Sequence, residues 1–495
     1  MFYILVQDSG FSNEVMELTK VFYPHFIFRI VDSLDHMSEE DWCLQCLYSD
    51  ENSMITTWVK LYSGRMLACE KKSEERIQGE PVGLERRKQV KNAIKRCVYD
   101  MLSEYTGRQY KWGILTGIRP TKIVHQLFDK GFSDTDVKEI LIDEYRISKE
   151  KSELLLNTAK TQRPLLINNY EKKISLYIHI PICRTKCLYC SFPSDTLEHC
   201  KAFIDDYLTA LTHELNEVVA PLLLRGYTIQ TLYIGGGTPT ALHNSQLESL
   251  LKAVCQIVDV KDVDEFTVEG GRPDSLNEEN MNIMKKYGVT RLSINPQTMN
   301  DDILKLIGRD HTVDQVLSCY YKAREIGFPV INMDVILGLP GESVRSVSRT
   351  MDFLSELNPE NLTVHTLAIK RSSILKESLQ QFKLPAGEEM MEMLEMSQNT
   401  VKKMGLIPYY LYRQKYMLGN LENVGYARPG TECIYNIQMM EEQQTIIAVG
   451  AGAVSKIYYK DQDRIERVPN VKNIAEYISR NQEMIGRKRK ALNLS

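Results

Sequence analysis

A regular alternation of short apolar runs and amphipathic segments, beginning near residue 173, is the strongest constraint on how this chain folds. The apolar runs have the length of buried strands, and the segments between them are long enough for the right-handed crossovers that join parallel strands. The expected strands are Ile174–Ile180, Thr231–Ile234, Glu265–Val268, Thr290–Ile294, Val330–Leu337 and Leu362–Leu367. The expected helices are Ala202–Leu224, Gln246–Val258, Glu278–Tyr287, Val313–Ile326 and Val344–Leu354. This pattern predicts an α/β fold with a curved parallel sheet or partial (β/α)6 barrel.

The regions on either side of this core have a different order of strand and helix patterns. In the N-terminal region, strand-like runs precede helical patterns, which predicts an α+β domain. Its expected elements are strands at Phe2–Val6, Phe26–Val31, Trp42–Leu47 and Ile55–Tyr62 and a helix at Leu84–Glu104. The C-terminal region is mixed, with helix signals at Glu388–Met404 and Ile474–Ile485 and a glycine-rich turn at Gly450–Gly452. We therefore expect three domains, at residues 1–168, 169–380 and 381–495.

Charge and hydropathy narrow the possible partners. The chain has 61 Lys+Arg against 65 Asp+Glu, so no overall field attracts nucleic acid or an anionic membrane. The helix at Leu84–Glu104 has a basic face, which we interpret as solvated; binding of RNA or of a polycarboxylate is the alternative. No run approaches the roughly 18 apolar residues of a membrane span, and the apolar start Met1–Val6 is too short for a signal peptide. We expect a cytoplasmic monomer with no membrane span and no nucleic-acid partner.

The cysteines indicate a metal centre. Eleven cysteines without a secretory signal do not suggest a disulfide framework. Cys183, Cys187 and Cys190 follow the first core strand with the spacing Cys-x3-Cys-x2-Cys. Three thiolates suit an iron–sulfur cubane with one open iron better than structural zinc, which usually takes a fourth protein ligand. The alternative is three separately buried thiols, which is also how we interpret Cys43 and Cys46.

The cysteine spacing resembles the signature of the radical S-adenosylmethionine (SAM) superfamily. Further motifs make residues from about Ile174 to Ser455 similar to the oxygen-independent coproporphyrinogen III oxidase group. These motifs are Tyr177-x-His-Ile-Pro, Gly235-Gly-Gly-Thr-Pro-Thr240, Arg291-Leu-Ser293 with Gln297, and Gly308-Arg-Asp-His311. The chain most resembles the long coproporphyrinogen dehydrogenases, which carry an N-terminal extension. The resemblance implies that the α/β core is a partial (β/α)6 radical SAM barrel and that the C-terminal domain is of the coproporphyrinogen-oxidase type.

The resemblance also implies the cofactors and their ligands. A [4Fe-4S] cluster on the three cysteines would bind SAM at its open iron, and cleavage of SAM would give a 5'-deoxyadenosyl radical that abstracts hydrogen. The residues matching positions that hold the cluster-bound SAM are Tyr177, Gly236 and Glu269, with Ala368 and Val454 as apolar or backbone contacts. The residues matching positions for a second SAM are Tyr189, Gly237, Thr238, Gln297, Arg309 and Asp334. No catalytic side chain is assigned beyond the cluster and SAM.

The positions of several of these residues in the chain indicate a ligand-binding role without the resemblance. Glu269, Gln297, Arg309 and Asp334 fall at or just beyond strand ends, the edge where parallel α/β barrels build their sites. The alternatives are surface ion pairs for Glu269 and Arg309 and a helix or turn cap for Asp334. Their joint placement predicts one shared pocket.

The implied reaction is oxidative decarboxylation of two propionates of coproporphyrinogen III to vinyl groups, giving protoporphyrinogen IX. It requires a tetrapyrrole substrate and an external electron donor and acceptor. Lys370 and Arg371 are candidate partners for the substrate carboxylates, or else solvated cations, and His365 is interpreted as a core histidine.

Two departures from the family pattern keep other functions open. Phe192 stands where the oxidases have a fourth cysteine, and the stretch near Cys433–Asn436 lacks the histidine of the haem-carrier branch. The alternatives are a haem-binding carrier or insertion protein and a different radical SAM reaction on a tetrapyrrole.

Overall fold

The computed structural model describes residues 1–33, 37–79, 81–167, 172–414 and 417–494. It divides into two compact units, residues 1–156 and 157–495. The predicted boundary between residues 168 and 169 lies outside the described residues. Within the described ranges, no helix is both long enough and apolar enough to cross a bilayer.

The first unit is built on a five-stranded sheet with the order β2-β1-β3-β4-β5. The strand β1 runs parallel to both of its neighbours, and β3, β4 and β5 form an antiparallel meander. The strands are β1 Phe2–Val6, β2 Phe28–Ile30, β3 Trp42–Glu51, β4 Met54–Ser63 and β5 Met66–Arg76. The helices are α1 Ser12–Phe22, α2 Gly83–Thr106, α3 Thr121–Asp129, α4 Asp134–Asp143 and α5 Lys149–Ile167, whose last part belongs to the second unit.

The helix α2 is the amphipathic helix that the sequence predicts. Its apolar stripe is buried, and Gly107 ends it in the left-handed conformation that favours glycine. Arg86 pairs with Asp50 at 2.7 Å, and Arg96 pairs with Glu75. Part of the basic face therefore serves contacts inside this unit rather than being fully solvated.

The second unit contains thirteen strands and twelve helices among its described residues, besides the end of α5. The strands are β6 Lys173–Ile180, β7 Ile182–Cys183, β8 Asp195–Thr196, β9 Thr228–Gly236, β10 Glu265–Gly271, β11 Arg291–Ile294, β12 Val330–Leu337, β13 Asn361–Thr366, β14 Ile407–Tyr412, β15 Asn423–Ala427, β16 Ile446–Val449, β17 Val454–Tyr459 and β18 Arg464–Pro469. The helices are α6 Leu197–Cys200, α7 Ile204–Leu224, α8 Asn244–Ile257, α9 Glu278–Lys286, α10 Asp301–Leu306, α11 Val313–Ile326, α12 Val344–Leu357, α13 Ile374–Glu377, α14 Gly387–Lys403, α15 Ile434–Glu441, α16 Ile474–Ser479 and α17 Asn481–Ala491.

The six predicted core strands lie side by side in chain order as β6, β9, β10, β11, β12 and β13, all parallel. The crossover helices begin at polar caps: the side chains of Asn277, Thr312 and Ser343 each accept a bond from a backbone N–H three residues later. Within the described residues, β6 and β13 do not pair with each other, so the sheet is open rather than a closed barrel. The α/β class and the partial barrel are confirmed.

The C-terminal residues extend this same sheet to 11 strands, with β14 and β15 beyond β13 and β16, β17 and β18 beyond β6. The strand β16 is parallel to β6, and Ala448 pairs with Tyr177. This register brings the turn at Gly450–Gly452 beside the end of β6. The single helix expected at Ile474–Ile485 is wrong, because the chain breaks at Arg480 into α16 and α17.

Candidate functional site

The three cysteines of the predicted cluster lie on the segment that follows β6. Cys187 is buried, Cys183 and Cys190 are half-buried, and the Cys190 N–H donates to the Cys187 carbonyl at 3.1 Å. Burial raises the pKa of both Cys183 and Cys190, and the neighbouring Cys187 raises them further. The three thiols are therefore close enough to interact electrostatically.

This arrangement differs from a site for one metal ion. Among the described residues, no group of three or more His, Cys, Asp and Glu side chains is placed to hold a single ion. A cubane requires a different arrangement, because each thiolate binds a different iron. The three sulfurs therefore lie further apart than the ligands of a single metal ion do. The donor set of three thiols on one loop fits a cluster with one open iron.

A buried cation beside the cysteines is the main residue that the sequence reasoning missed. Arg272 follows β10, and its Nη1 donates to Thr185 Oγ1 at 2.7 Å and lies 3.9 Å from Cys187 Sγ. Its Nε donates to Asp274 Oδ1 at 2.9 Å. A guanidinium here lowers the electrostatic cost of several thiolates and an anionic cluster. The strand-end rule that identified Glu269 would also have found Arg272, three residues further on.

The glycine turn after β9 is packed against the cysteine segment. The N–H groups of Gly237 and Thr238 donate to the carbonyls of Ile180 and Ile182, both at 2.8 Å. The Thr238 hydroxyl also lies 3.6 Å from Cys183 Sγ. A Cβ on Gly237 would come within 2.6 Å of the Ile182 carbonyl oxygen, and backbone cannot easily move away. Glycine is required here so that β9 can approach the loop of the cysteines.

Gly236 is constrained by a second contact. Its φ is 112°, and a Cβ would lie 2.0 Å from Cδ2 of the His179 ring. His179 in turn contacts the Ala451 carbonyl through Nδ1. The turn after β9 and the turn after β16 therefore meet on opposite sides of one histidine at the end of β6.

Glu269 lies at the centre of this edge of the sheet. The Tyr233 hydroxyl donates to its Oε1 at 2.6 Å, and the Gly236 N–H donates to its Oε2 at 3.2 Å. Burial, reinforced by the charge of Asp334, raises the pKa of Glu269 to about 7 despite these bonds. Tyr177 lies nearby, with its ring centroid 6.0 Å from that of Tyr233. Glu269 is not a surface ion pair.

Gln297 follows β11 and bridges to β12 in an unusual conformation. Its φ is 68°, its N–H donates to the Asp334 carbonyl, and its own carbonyl accepts from Ile336, both at 2.9 Å. Its side-chain Oε1 is buried and has no hydrogen-bond partner among the described residues. Positive φ in a non-glycine residue together with an unsatisfied buried acceptor is typical of a ligand-binding position.

Arg309 and Tyr189 form a pair that contacts Asn295, two residues before Gln297 in the chain. The Arg309 side chain is buried; Nη1 donates to the Tyr189 hydroxyl at 3.1 Å and Nη2 to the Asn295 carbonyl at 2.7 Å. Its Nε has no partner within the described part of the chain. The surface ion pair considered for Arg309 is therefore excluded, and one donor remains available to a ligand.

Asp334 is part of a small polar network rather than a cap. Asn332 donates to its Oδ1 at 2.9 Å, and its Oδ2 lies 3.9 Å from His365 Nε2. Burial raises the pKa of Asp334, but the interaction with His365 and the hydrogen bond from Asn332 outweigh this effect, so the pKa is lowered. His365 also contacts the Tyr412 hydroxyl at 3.2 Å and is 25% exposed, so its interpretation as a core histidine is wrong.

Ala368 and Val454 lie at the same edge of the sheet. Ala368 follows β13, is half-buried and forms an isolated bridge with Met417. Val454 is the first residue of β17 and is 37% exposed. Both can offer backbone or apolar contacts to a ligand lying across the edge.

Comparison with known proteins identifies a family profile, curated relatives and a solved structure that are similar to this chain. The profile of the Radical SAM superfamily matches residues 177–354. The chain is 41% identical, over 396 residues and 79% of each chain, to the oxygen-independent coproporphyrinogen-III oxidase-like protein HemZ of Bacillus subtilis. It is 32% identical to the heme chaperone HemW of the same organism, over 56% of this chain and 70% of that one. The solved coproporphyrinogen III oxidase HemN of Escherichia coli has a TM-score of 0.52 and 25% identity, covering 66% of this chain and 73% of its own.

Proposed function

Because this chain belongs to the oxygen-independent coproporphyrinogen-III oxidase-like family of radical SAM proteins, we propose that it decarboxylates coproporphyrinogen III to protoporphyrinogen IX. Membership in the radical SAM superfamily implies a [4Fe-4S] cluster and SAM. One observation carries the proposal: the cysteine loop, Glu269 and the Arg309–Tyr189 pair lie at the carboxyl edge of the six parallel core strands. That edge is where such sheets bind their ligands.

In this proposal Cys183, Cys187 and Cys190 each bind one iron of the cluster. Thr238 and Arg272 place donors beside the sulfurs of Cys183 and Cys187. Donors of this kind stabilise the negative charge of a thiolate-bound cluster and raise its reduction potential. The bound cluster and SAM supply a carbon radical that can abstract hydrogen.

The residues proposed to hold the cluster-bound SAM are Tyr177, Gly236, Glu269, Ala368 and Val454. Glu269 has a fixed position because Tyr233 and Gly236 donate to its two oxygens. Its carboxylate suits the ammonium or hydroxyl groups of a ligand. Gly236 keeps the space in front of His179 free of a side chain.

We propose a second SAM at Tyr189, Gly237, Thr238, Gln297, Arg309 and Asp334. Gln297 Oε1 and Arg309 Nε support this assignment, because both atoms are buried without a partner among the described residues. Each atom would gain a hydrogen bond from a polar ligand that reaches it. The φ of 68° at Gln297 is a conformation that non-glycine residues adopt mainly at functional sites, which also supports the assignment.

The proposed reaction removes one hydrogen atom from the β-carbon of a propionate. Carbon dioxide then leaves, one electron passes to an external acceptor, and a vinyl group forms; two propionates react in turn. Lys370 is half-buried, and burial lowers its pKa, whereas Arg371 is exposed. We assign both to the substrate carboxylates, and we propose a cytoplasmic monomer served by an external electron donor.

The test is anaerobic incubation of the iron-loaded protein with SAM, a reductant and coproporphyrinogen III, followed by mass spectrometry. We expect loss of two carboxyl groups and one 5'-deoxyadenosine for each vinyl group. Cys187→Ala is the control and should lose both the iron chromophore and all SAM cleavage. Cleavage of SAM by the wild-type protein with an unchanged porphyrin would refute the decarboxylase.

A second candidate function is haem carriage. Phe192, which replaces the fourth cysteine of the oxidases, is 66% exposed, and HemW is a similar heme chaperone. Titration with haem distinguishes the two functions. Stoichiometric, tight binding seen in the Soret band, without release of carbon dioxide from coproporphyrinogen III, would favour the carrier.

A further inference from the structure

A group of buried polar side chains lies at the amino ends of the parallel core strands. Glu265, Arg291 and Asn361 are the first residues of β10, β11 and β13, and all three side chains are buried. They lie at the end of these strands opposite to the edge that carries Glu269. Arg291 begins one of the sequence motifs of the core, yet the proposed function gives none of these three residues a role.

Arg291 and Asn361 hold a segment of the C-terminal region, residues 431–435, which we call the floor segment. Arg291 Nη2 donates to the carbonyls of Thr431 and Glu432, at 2.9 and 3.1 Å. Asn361 Nδ2 donates to the same Thr431 carbonyl at 2.8 Å. Side chains from two strands therefore bind one backbone carbonyl, which fixes the floor segment against the ends of β11 and β13.

Glu265 holds the other end of the floor segment, where α15 begins. Its Oε2 accepts from the Ile434 N–H at 2.8 Å, and its Oε1 accepts from the Tyr435 N–H at 3.4 Å. A carboxylate at this place satisfies N–H groups that have no partner inside the helix. Arg291 Nη2 lies 3.3 Å from Glu265 Oε2, so the buried negative charge is compensated. The first turn of α15 therefore has a fixed position.

This turn places the ring of Tyr435 against the two tyrosines beside Glu269. The Tyr435 ring centroid lies 4.3 Å from that of Tyr233 and 5.8 Å from that of Tyr177, with interplanar angles of 26° and 18°. Tyr435 is only 4% exposed. Stacked rings at such distances attract one another beyond the effect of the area they bury. Tyr435 therefore restricts the movement of Tyr177 and of Tyr233, whose hydroxyl donates to Glu269.

We propose that Tyr435 is a positioning residue for SAM: its ring, held by the floor segment, keeps Tyr177 and Tyr233 in the arrangement that binds the cofactor. The inference rests on the part of the proposed function that places SAM at Tyr177 and Glu269, and it does not depend on the tetrapyrrole reaction. The Tyr435 hydroxyl is buried and has no hydrogen-bond partner among the described residues. The ring and not the hydroxyl therefore makes the contacts that matter for this role.

The experiment is anaerobic calorimetric titration of SAM into iron-loaded variants. Tyr435→Leu removes the ring, and we expect its affinity for SAM to fall about tenfold. Tyr435→Phe keeps the ring and should bind SAM as tightly as the wild type. The iron content per chain should be equal in all variants, because the floor segment lies at the opposite end of the strands from the cysteine loop. Tyr435→Met fills more of the space than leucine and gives the same test if Tyr435→Leu does not fold.

Tyr320→Leu is the matched control. Tyr320 on α11 is 2% exposed, and its hydroxyl donates to the Leu357 carbonyl. Its loss removes a buried tyrosine of the same size outside the site, so it should lower the stability of the protein and leave the affinity for SAM unchanged.

Two outcomes would overturn the inference. One is an unchanged affinity for SAM in Tyr435→Leu or, if that variant does not fold, in Tyr435→Met. The other is an equal loss in Tyr435→Phe and Tyr435→Leu, because the hydroxyl and not the ring would then be responsible. Failure of the proposed function looks different: the variants would show the expected order of SAM affinities, but the wild type would leave coproporphyrinogen III unchanged.

Discussion

At the residue scale, Glu269 should give ligand binding a distinctive pH dependence. Its pKa is raised from 4.5 to about 7, so the carboxyl is mostly neutral below that pH and mostly charged above it. If the carboxylate holds SAM, affinity should rise by about tenfold between pH 6 and pH 8. Glu269→Gln should bind SAM more weakly and lose this dependence, measured by calorimetry on the cluster-loaded protein.

The same shift has a consequence for stability, with a definite sign. The folded protein holds the Glu269 proton more tightly than the unfolded chain does. The contribution of this group to the free energy of unfolding is therefore fully present below pH 4.5 and is lost as the pH rises through 7.

A Glu269→Gln protein whose SAM affinity still rose between pH 6 and pH 8 would show that a group other than Glu269 causes the pH dependence of SAM binding.

Arg272 should raise the reduction potential of the cluster. Its guanidinium lies 3.9 Å from Cys187 Sγ, and a nearby positive charge favours the reduced, more negative cluster. Arg272→Gln should lower the reduction potential by on the order of tens of millivolts, measured by a titration followed by electron paramagnetic resonance. Arg272→Lys keeps the charge and is the control. Equal potentials in the wild type and Arg272→Gln would contradict this role.

At the scale of elements, the exit of β9 should tolerate no side chain. A Cβ on Gly237 meets the Ile182 backbone at 2.6 Å, so Gly237→Ala must push β7 and Cys183 away from β9. We expect this variant to bind less iron per chain after reconstitution. Gly387→Ala, where a Cβ meets nothing within 4 Å at the start of α14, is the matched control. Equal iron content in the two variants would argue against the packing role.

The sequence predicted the core elements better than the peripheral ones. The six parallel strands were found because they are apolar on both faces, as strands covered by helices must be. The strand β5 was missed because it is largely exposed and rich in charged residues, so its sequence has no apolar pattern typical of a strand. It forms a strand because it pairs with β4 along its length. The strands β14 to β18 were also missed. The strands β15 and β16 pair with β13 and β6, which lie far away in the chain, whereas β17 and β18 pair with each other as a local hairpin.

At the scale of the whole second unit, a buried ion pair joins the C-terminal helix to the site. Glu214 on α7 and Lys488 on α17 are fully buried and paired. Glu214 also accepts from the Tyr477 hydroxyl at 2.6 Å and from the Gly450 N–H at 2.9 Å. The pair thus fixes the turn at Gly450–Gly452, which contacts His179 at the end of β6.

Removing one member of the Glu214–Lys488 pair should lower the free energy of unfolding considerably. Lys488→Met leaves the Glu214 charge buried without its cation, and we expect a loss of about 3 to 5 kcal/mol in the free energy of unfolding. Arg489→Met breaks the partly exposed neighbouring pair with Glu217 and should cost less than about 1 kcal/mol. Urea denaturation measures both. Similar losses in the two variants would mean that burial does not strengthen the pair.

The sequence by itself determined the parallel α/β core, the position of the cysteine loop at a strand end and the chain's family. These follow from local periodicity, from spacing and from motifs, all of which are properties of neighbouring residues. Only the tertiary structure decided that β16 lies beside β6, that Arg272 faces Cys187 and that His365 reaches Asp334. These contacts join residues distant in sequence. They depend on strand order and register, which arise when the whole sheet packs and not from any one segment.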